Sequence, residues 1–314
     1  MTIQWFPGHM AKTRRLMTEN LKLVDVVVEI VDARLPKSSR NPLIHDLVGT
    51  KPRVLVMAKA DLAEEKHSKA WVAWFRRQGL TAMVCDLKGA NSKSEVKAVI
   101  STLRSQAANI LASRQNRGIN DQAVRVMATG IPNVGKSTMI NLLAGRAMTE
   151  TADRPGVTKG KQWIRLANDV ELLDMPGILW PNLEDREGAR KLAATGAIGD
   201  NAYDSYELAL WLIRWLAQNR PGRLTQRYGV DESDAFSESL SVDVLYGKDM
   251  AESAEETDEL ALSILEAIGK RRGLLRKGGI VETDKAAIIL LDEFRGGKLG
   301  GVTMDEPPEE DIPS

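Results

Sequence analysis

Val124-Arg125-Val126-Met127-Ala128-Thr129-Gly130-Ile131-Pro132-Asn133-Val134-Gly135-Lys136-Ser137-Thr138 is the stretch that decides the fold. Its first six residues are rich in β-branched and aliphatic types, the composition of a buried strand. Gly130 to Ser137 then matches G-x-x-x-x-G-K-[ST] at every fixed position, the pattern of a phosphate-binding loop. A polyphosphate has to be wrapped by backbone N–H groups; glycines allow that close approach, and a following helix points its positive end at the anion. The helix-forming run Ser137 to Ala144, closed by Gly145, supplies such a helix. Lys136 is placed to reach the β- and γ-phosphates and the Ser137 hydroxyl to ligate Mg²⁺.

At 314 residues the chain is long enough for about two domains, each with its own core. Hydrophobic residues make up 43% and charged residues 27%, which argues against global disorder. Lys+Arg and Asp+Glu both number 43, so any nucleic-acid binding has to come from a local patch. The single cysteine, Cys85, rules out an internal disulfide and suits a reducing compartment. No signal or transit pattern opens the chain and no apolar run approaches the ~20 residues of a membrane span, so a soluble cytoplasmic monomer is expected.

Trp5-Phe6-Pro7-Gly8-His9 reads as an irregular arm before a basic helix, Met10 to Leu23, carrying Lys12, Arg14 and Arg15. Aromatics beside cations suit RNA; His9 taken alone reads as a solvated loop histidine or a helix cap. Strands are expected at Asp25–Val31, Pro52–Met57 and Thr81–Cys85, with helices at Lys66–Gln78 and Ser94–Arg114. Trp71 and Trp74 form a core stripe. A hairpin of Gln162–Leu166 and Val170–Leu173 follows the phosphate loop. Beyond Glu184 the strand signals fade and an aromatic-faced helix, Tyr206–Asn219, appears. Asp231 to Glu259 holds eleven acidic residues against one lysine and reads as a solvated, partly flexible insert. Lys270, Arg271, Arg272, Arg276 and Lys277 put five cations in eight residues, either an RNA patch or a solvated helix end favoured by the dipole. Asp305 to Ser314 is expected to be a disordered tail.

Three further elements name the base. Asp174-Met175-Pro176-Gly177 at a strand end fits the motif whose Asp holds Mg²⁺ through water and whose Gly N–H senses the γ-phosphate. Thr158 sits in the segment where a hydroxyl completes the metal shell. Ala58-Lys59-Ala60-Asp61 resembles the guanine-reading N-K-x-D, in which Asp accepts from both N–H donors of the guanine edge and the Lys stem covers the ring. Here it precedes the phosphate loop, the reverse of an ordinary GTPase. A parallel sheet whose ligand contacts all lie on one edge tolerates that order, so a circularly permuted GTPase is expected: an α/β, doubly wound, mostly parallel sheet over residues 1–183, an all-α RNA-binding domain over 184–300 and an acidic tail over 301–314.

With Trp5 to Lys12, Val31-Asp32-Ala33-Arg34, Ser39-Arg40-Asn41-Pro42, Gly130 to Thr138, Asp153 to Thr158, Leu172 to Pro181 and Ala267 to Gly273, the chain resembles the ribosome biogenesis GTPase A (YlqF) family over most of its length. The resemblance implies GTP/GDP as ligand, the precursor of the large ribosomal subunit as partner, and late maturation with release on hydrolysis as the role. It assigns the nucleotide to Lys59, Ala60, Asp61, Asp86, Leu87, Asn133, Val134, Gly135, Lys136, Ser137, Thr138, Asp174 and Gly177. Catalysis falls to His9, Lys136, Thr158 and Gly177, with Mg²⁺ at Ser137, Thr158 and Asp174 and K⁺ at Asn133. Two departures stand out. Ala58 replaces the family's Asn, predicting weaker affinity with guanine preference kept by Asp61; and Ile178, where ordinary GTPases carry a water-orienting Gln, cannot orient water. Two other readings stay open: a nucleotide-regulated RNA-binding module with little turnover, and a P-loop ATPase of relaxed base selectivity.

Overall fold

The computed structural model describes residues 8–89, 92–144, 163–175, 185–230 and 250–308. These fall into two compact units, the described parts of Trp5–Glu184 with Thr303–Ser314 and those of Asp185–Val302.

The first unit is built on a six-stranded sheet. Its strands are β1 (Val26–Asp32), β2 (Arg53–Ala58), β3 (Thr81–Cys85), β4 (Val124–Thr129), β5 (Trp163–Ala167) and β6 (Val170–Asp174). The spatial order is β3-β2-β1-β4-β6-β5, parallel throughout except for β5, which pairs antiparallel with β6 through the turn Asn168-Asp169. Runs such as Val26-Val27-Val28 are buried on both faces because helices cover the sheet: α1 (Gly8–Leu21), α2 (Pro42–Val48), α3 (Glu65–Arg77), α4 (Ser92–Asn116) and α5 (Lys136–Ala144). Met17, Leu21, Ile44 and Val48 pack with Val27, Met127 and Leu173 in one core cluster. Trp71 stacks on Phe75 with centroids 5.4 Å apart and meets Trp74 edge-on at 5.3 Å, so the tryptophan pair is core.

The second unit is helical: α6 (Arg186–Ala194), α7 (Ser205–Asn219), α8 (Arg223–Tyr228), α9 (Met250–Arg271) and α10 (Thr283–Arg295). Asp204 caps α7 by accepting from the Tyr206 and Glu207 N–H groups at 2.8 and 3.1 Å. Trp211 and Trp215 point inward as expected, but α7 is buried on nearly every side and is the unit's central helix, packed by α9 and α10.

The stretch Asp231–Glu259, read as a solvated, partly flexible insert, runs at its end into α9, which begins at Met250; residues 231–249 lie outside the described ones. One expectation is corrected. The tail is not disordered from Asp305, which is 5% exposed. Its carboxylate accepts from the Lys37 N–H (2.9 Å), the Ser38 N–H (2.6 Å) and the Ser38 hydroxyl (2.7 Å), and its carbonyl accepts from Trp71 Nε1 at 2.9 Å. Met304 N–H donates to the Arg34 carbonyl at 2.8 Å, while Thr303 and Glu64 exchange two hydrogen bonds of 3.0 Å. The acidity there serves to cap a loop, which composition alone does not distinguish from solvation. Among the described residues no helix is long and apolar enough to cross a membrane.

Candidate functional site

The register puts the carboxyl ends of the parallel strands on one edge. Asp32 pairs with Ala58, Ala58 with Cys85, and Ala128 with Asp174, so the segments that leave β2, β3, β4 and β6 emerge side by side. These are the four segments to which the sequence assigns base, base-backing loop, phosphates and γ-phosphate sensing.

Gly130 opens the loop after β4 against the neighbouring strand: a Cβ there would lie 2.5 Å from the Ile30 carbonyl oxygen, so only glycine fits. Gly135, at φ +103°, closes it. A Cβ on Gly135 would stand 3.3 Å from the Ala58 Cβ and 3.5 Å from Leu87 Cδ1. The end of the phosphate loop therefore rests on the first residue of Ala58-Lys59-Ala60-Asp61 and on the loop after β3. Residues far apart in sequence, in inverted order, thus converge.

Lys136 is the first residue of α5 and Ser137 and Thr138 are exposed in its first turn. Lys136 Nζ lies 2.5 Å from Asp174 Oδ1, at the exposed end of β6. The cation that the sequence reading assigns to the phosphates and the carboxylate that it assigns to the metal therefore face each other. The Ser137 hydroxyl and the Asp174 carboxylate are hard oxygen donors that fit Mg²⁺. Asn133 is exposed and takes a left-handed conformation (φ +58°), and Val134 is buried beneath the loop.

On the base side, Lys59 is also left-handed (φ +60°), and Ala60–Leu62 form a single 3₁₀ turn that leaves the Asp61 carboxylate exposed. Asp86 is engaged elsewhere: its Oδ1 accepts from the Lys88 and Gly89 N–H groups at 2.9 Å, and its own N–H donates to Glu95 at 2.6 Å. Its carboxylate thus shapes the loop, and buried Leu87 is the residue that approaches Gly135. Cys85 is buried, and burial together with Glu95 pushes its thiol up to about 12, so it is an inert core residue.

Sequence reading gave no role to Asp32 and Arg34. Both are 2% exposed. Asp32 accepts from Arg34 Nε (3.0 Å), Nη2 (2.8 Å) and backbone N–H (3.0 Å), and pairs with Lys59 Nζ at 3.0 Å. Ser39 Oγ accepts the Asp32 N–H at 3.0 Å, and Arg40 pairs with buried Glu29 at 3.2 Å. The available signal was a carboxylate at the end of a buried strand otherwise of valine and isoleucine, apart from Glu29.

Gly177 and Thr158 lie outside the described residues. His9 and Lys12 fall in α1, where the side chains described begin at Arg14. Arg14 is exposed, and Arg15 pairs with Glu19 along the helix. In the helical unit, Arg272 is committed to Glu293 at 2.6 Å and lies over Tyr228; Arg271 donates to the Gly229 carbonyl, and Arg276 pairs with Glu282 at 3.0 Å. Lys270 stands 4.0 Å from Glu266, and Lys277 is exposed.

A family model described as 50S ribosome-binding GTPase matches residues 125–236. The ribosome biogenesis GTPase A of Bacillus cereus is 42% identical over 309 residues, 98% of this chain and 95% of that protein. Among solved structures, a GDP-bound YlqF aligns with a TM-score of 0.62 at 26% identity, covering 93% of this chain and 99% of its own. GNP-bound YlqF from T. maritima gives 0.59 at 26% identity, over 94% and 98% of the two chains. The chain belongs to the ribosome biogenesis GTPase A family, and is a guanine-nucleotide-binding GTPase with its phosphate loop in the middle of a permuted sheet.

Proposed function

We propose that the chain is an assembly factor that binds a precursor of the large ribosomal subunit when loaded with GTP, promotes its late maturation and leaves after hydrolysis. The observation that supports this most is the seating of Gly135 on Ala58, which lets one nucleotide reach both halves of a permuted motif set.

In this reading Asp61 accepts from the guanine edge, the Lys59 stem covers the ring, and Ala60 and Leu87 line its flank. Asn133 to Thr138 hold the phosphates, with Lys136 as their point charge. Ser137, Thr158 and Asp174 (through water) would hold Mg²⁺, which when bound neutralises charge developing on the phosphate oxygens. Asn133 would hold K⁺, and His9 takes the water-orienting role that Ile178 cannot fill. Lys12, Arg14, Arg15 and the cations of 270–277 contact RNA, Lys270 and Lys277 being the least engaged of the second group. The proposed domains are 1–183 for the nucleotide, 184–300 for RNA with the acidic insert inside it, and 301–314 as the tail. Because Asp174 to Pro181 leads straight into the helical unit, loss of the γ-phosphate is the event that changes RNA affinity.

Co-sedimentation with large-subunit precursors tests this. Pelleting with a non-hydrolysable GTP analogue and release with GDP are expected; equal pelleting in both states would refute it. Turnover measured alongside should rise with precursor, fall on His9→Ala and be faster in K⁺ than in Na⁺. Unchanged rates would remove those two assignments and leave the binding cycle standing.

A further inference from the structure

The strand β1 ends in a group that the nucleotide chemistry described so far does not use. Asp32 is buried between two cations, and it faces the one that the proposed reading lays over the purine. Arg34 cannot swing away: it is 2% exposed and engages Asp32 through backbone N–H, Nε and Nη2. Asp32 is fixed again through its own N–H on Ser39 Oγ. The carboxylate is therefore an immobile anchor, and the mobile partner is Lys59, whose side chain is 22% exposed.

Two further observations say what the anchor is for. Lys59 holds a left-handed backbone conformation, uncommon for a residue with a side chain and maintained only where the surroundings impose it. And Ala58 presents only a methyl group to the phosphate loop, so it can hold the segment to the loop by no side-chain hydrogen bond. Lys59 has five single bonds between Cα and its charge, and an untethered lysine would sample many rotamers before it lay on a ring.

We propose that Asp32 is a positioning residue for guanine recognition: with Arg34 and Ser39 holding it, it fixes the Lys59 ammonium 3.0 Å away and so presents the lysine stem as a preformed face for the purine. This rests on the reading of Lys59 as the ring-covering residue. The carboxylate remains charged at any working pH, because Arg34 and Lys59 outweigh the effect of burial.

A double-mutant cycle on GDP binding, with inorganic tripolyphosphate as a base-free competitor, tests the assignment. Asp32→Asn should weaken GDP about tenfold, Lys59→Ala by a similar factor, and the pair by no more than Lys59→Ala alone. Tripolyphosphate affinity should not move in any of them, since the phosphate loop is untouched. Equal losses from Asp32→Asn with and without Lys59, or a parallel loss of tripolyphosphate, would show that Asp32 acts only through the fold and overturn the proposal. A loss on Lys59→Ala with none on Asp32→Asn would show that Lys59 needs no anchor, and would overturn it too. No loss on Lys59→Ala would instead sink the reading of Lys59, and the proposal with it. If Asp32→Asn does not fold, Asp32→Glu, which keeps its charge beside Arg34 but moves the oxygens by one methylene, enters the same cycle with the same outcomes.

Discussion

Ala58 is fully buried at the end of β2, and its methyl group lies where the family resemblance places an asparagine. It faces Gly135, which has no side chain of its own, so a polar side chain at 58 would be directed at the phosphate loop. Ala58→Asn is therefore expected to add one hydrogen bond, worth about 1 kcal/mol, and to tighten GDP about fivefold. The ratio of GDP to ADP affinity should stay where it is, because the proposed reading gives the choice of base to Asp61. Parallel titrations with the two nucleotides check both statements. Lys136, Ser137 and Asp174 were legible as single letters, since a phosphate loop tolerates few substitutes. Asp32 was not, because its importance lies in burial and in partners that local sequence does not specify.

Among the elements, β1 differs from its neighbours in carrying two buried carboxylates, Glu29 and Asp32, on a strand otherwise of valine and isoleucine. Burial pushes the Asp32 carboxyl up, but Arg34 and Lys59 overcome it and hold it down at about 2, below the 3.8 of an unperturbed group. A carboxylate depressed in the folded state adds stability that is complete above its unfolded pKa and is lost as pH falls through the folded one. The contribution should thus be intact at pH 5 and fade between about pH 4 and pH 2. Urea midpoints across that range should fall more steeply for the natural protein than for Asp32→Asn. The six strands and the helices of the sheet unit other than α2 were readable within one or two residues at most ends, because β-branched runs and glycine stops are local signals. The helices α2, α6, α8 and α10 were not read, and α7 was taken for a one-faced helix: its remaining sides are covered by α9 and α10, partners that lie dozens of residues away.

For the whole molecule, the segment Thr303–Asp305 belongs to the sheet unit although it follows the helices in sequence. Asp305→Ala leaves the Lys37 and Ser38 N–H groups and the Ser38 hydroxyl without their acceptor. A loss of about 2 kcal/mol from the sheet unit is expected. Faster amide exchange at Lys37 and Ser38 should accompany it, with the amides of α7 unaffected; hydrogen-exchange mass spectrometry reads all three. Composition concealed this contact, because an acidic, proline-rich stretch looks the same whether it solvates itself or caps a loop.

That late-returning segment also sets an order of events during synthesis. Translation delivers the strands and the phosphate loop first, then about 120 residues of helical unit, and only afterwards the three residues that close the loop behind Arg34. A nascent chain has its phosphate loop early but cannot finish the loop that carries Arg34 until the helices have been made. Full affinity for the purine ring should therefore be the last property the newborn protein acquires.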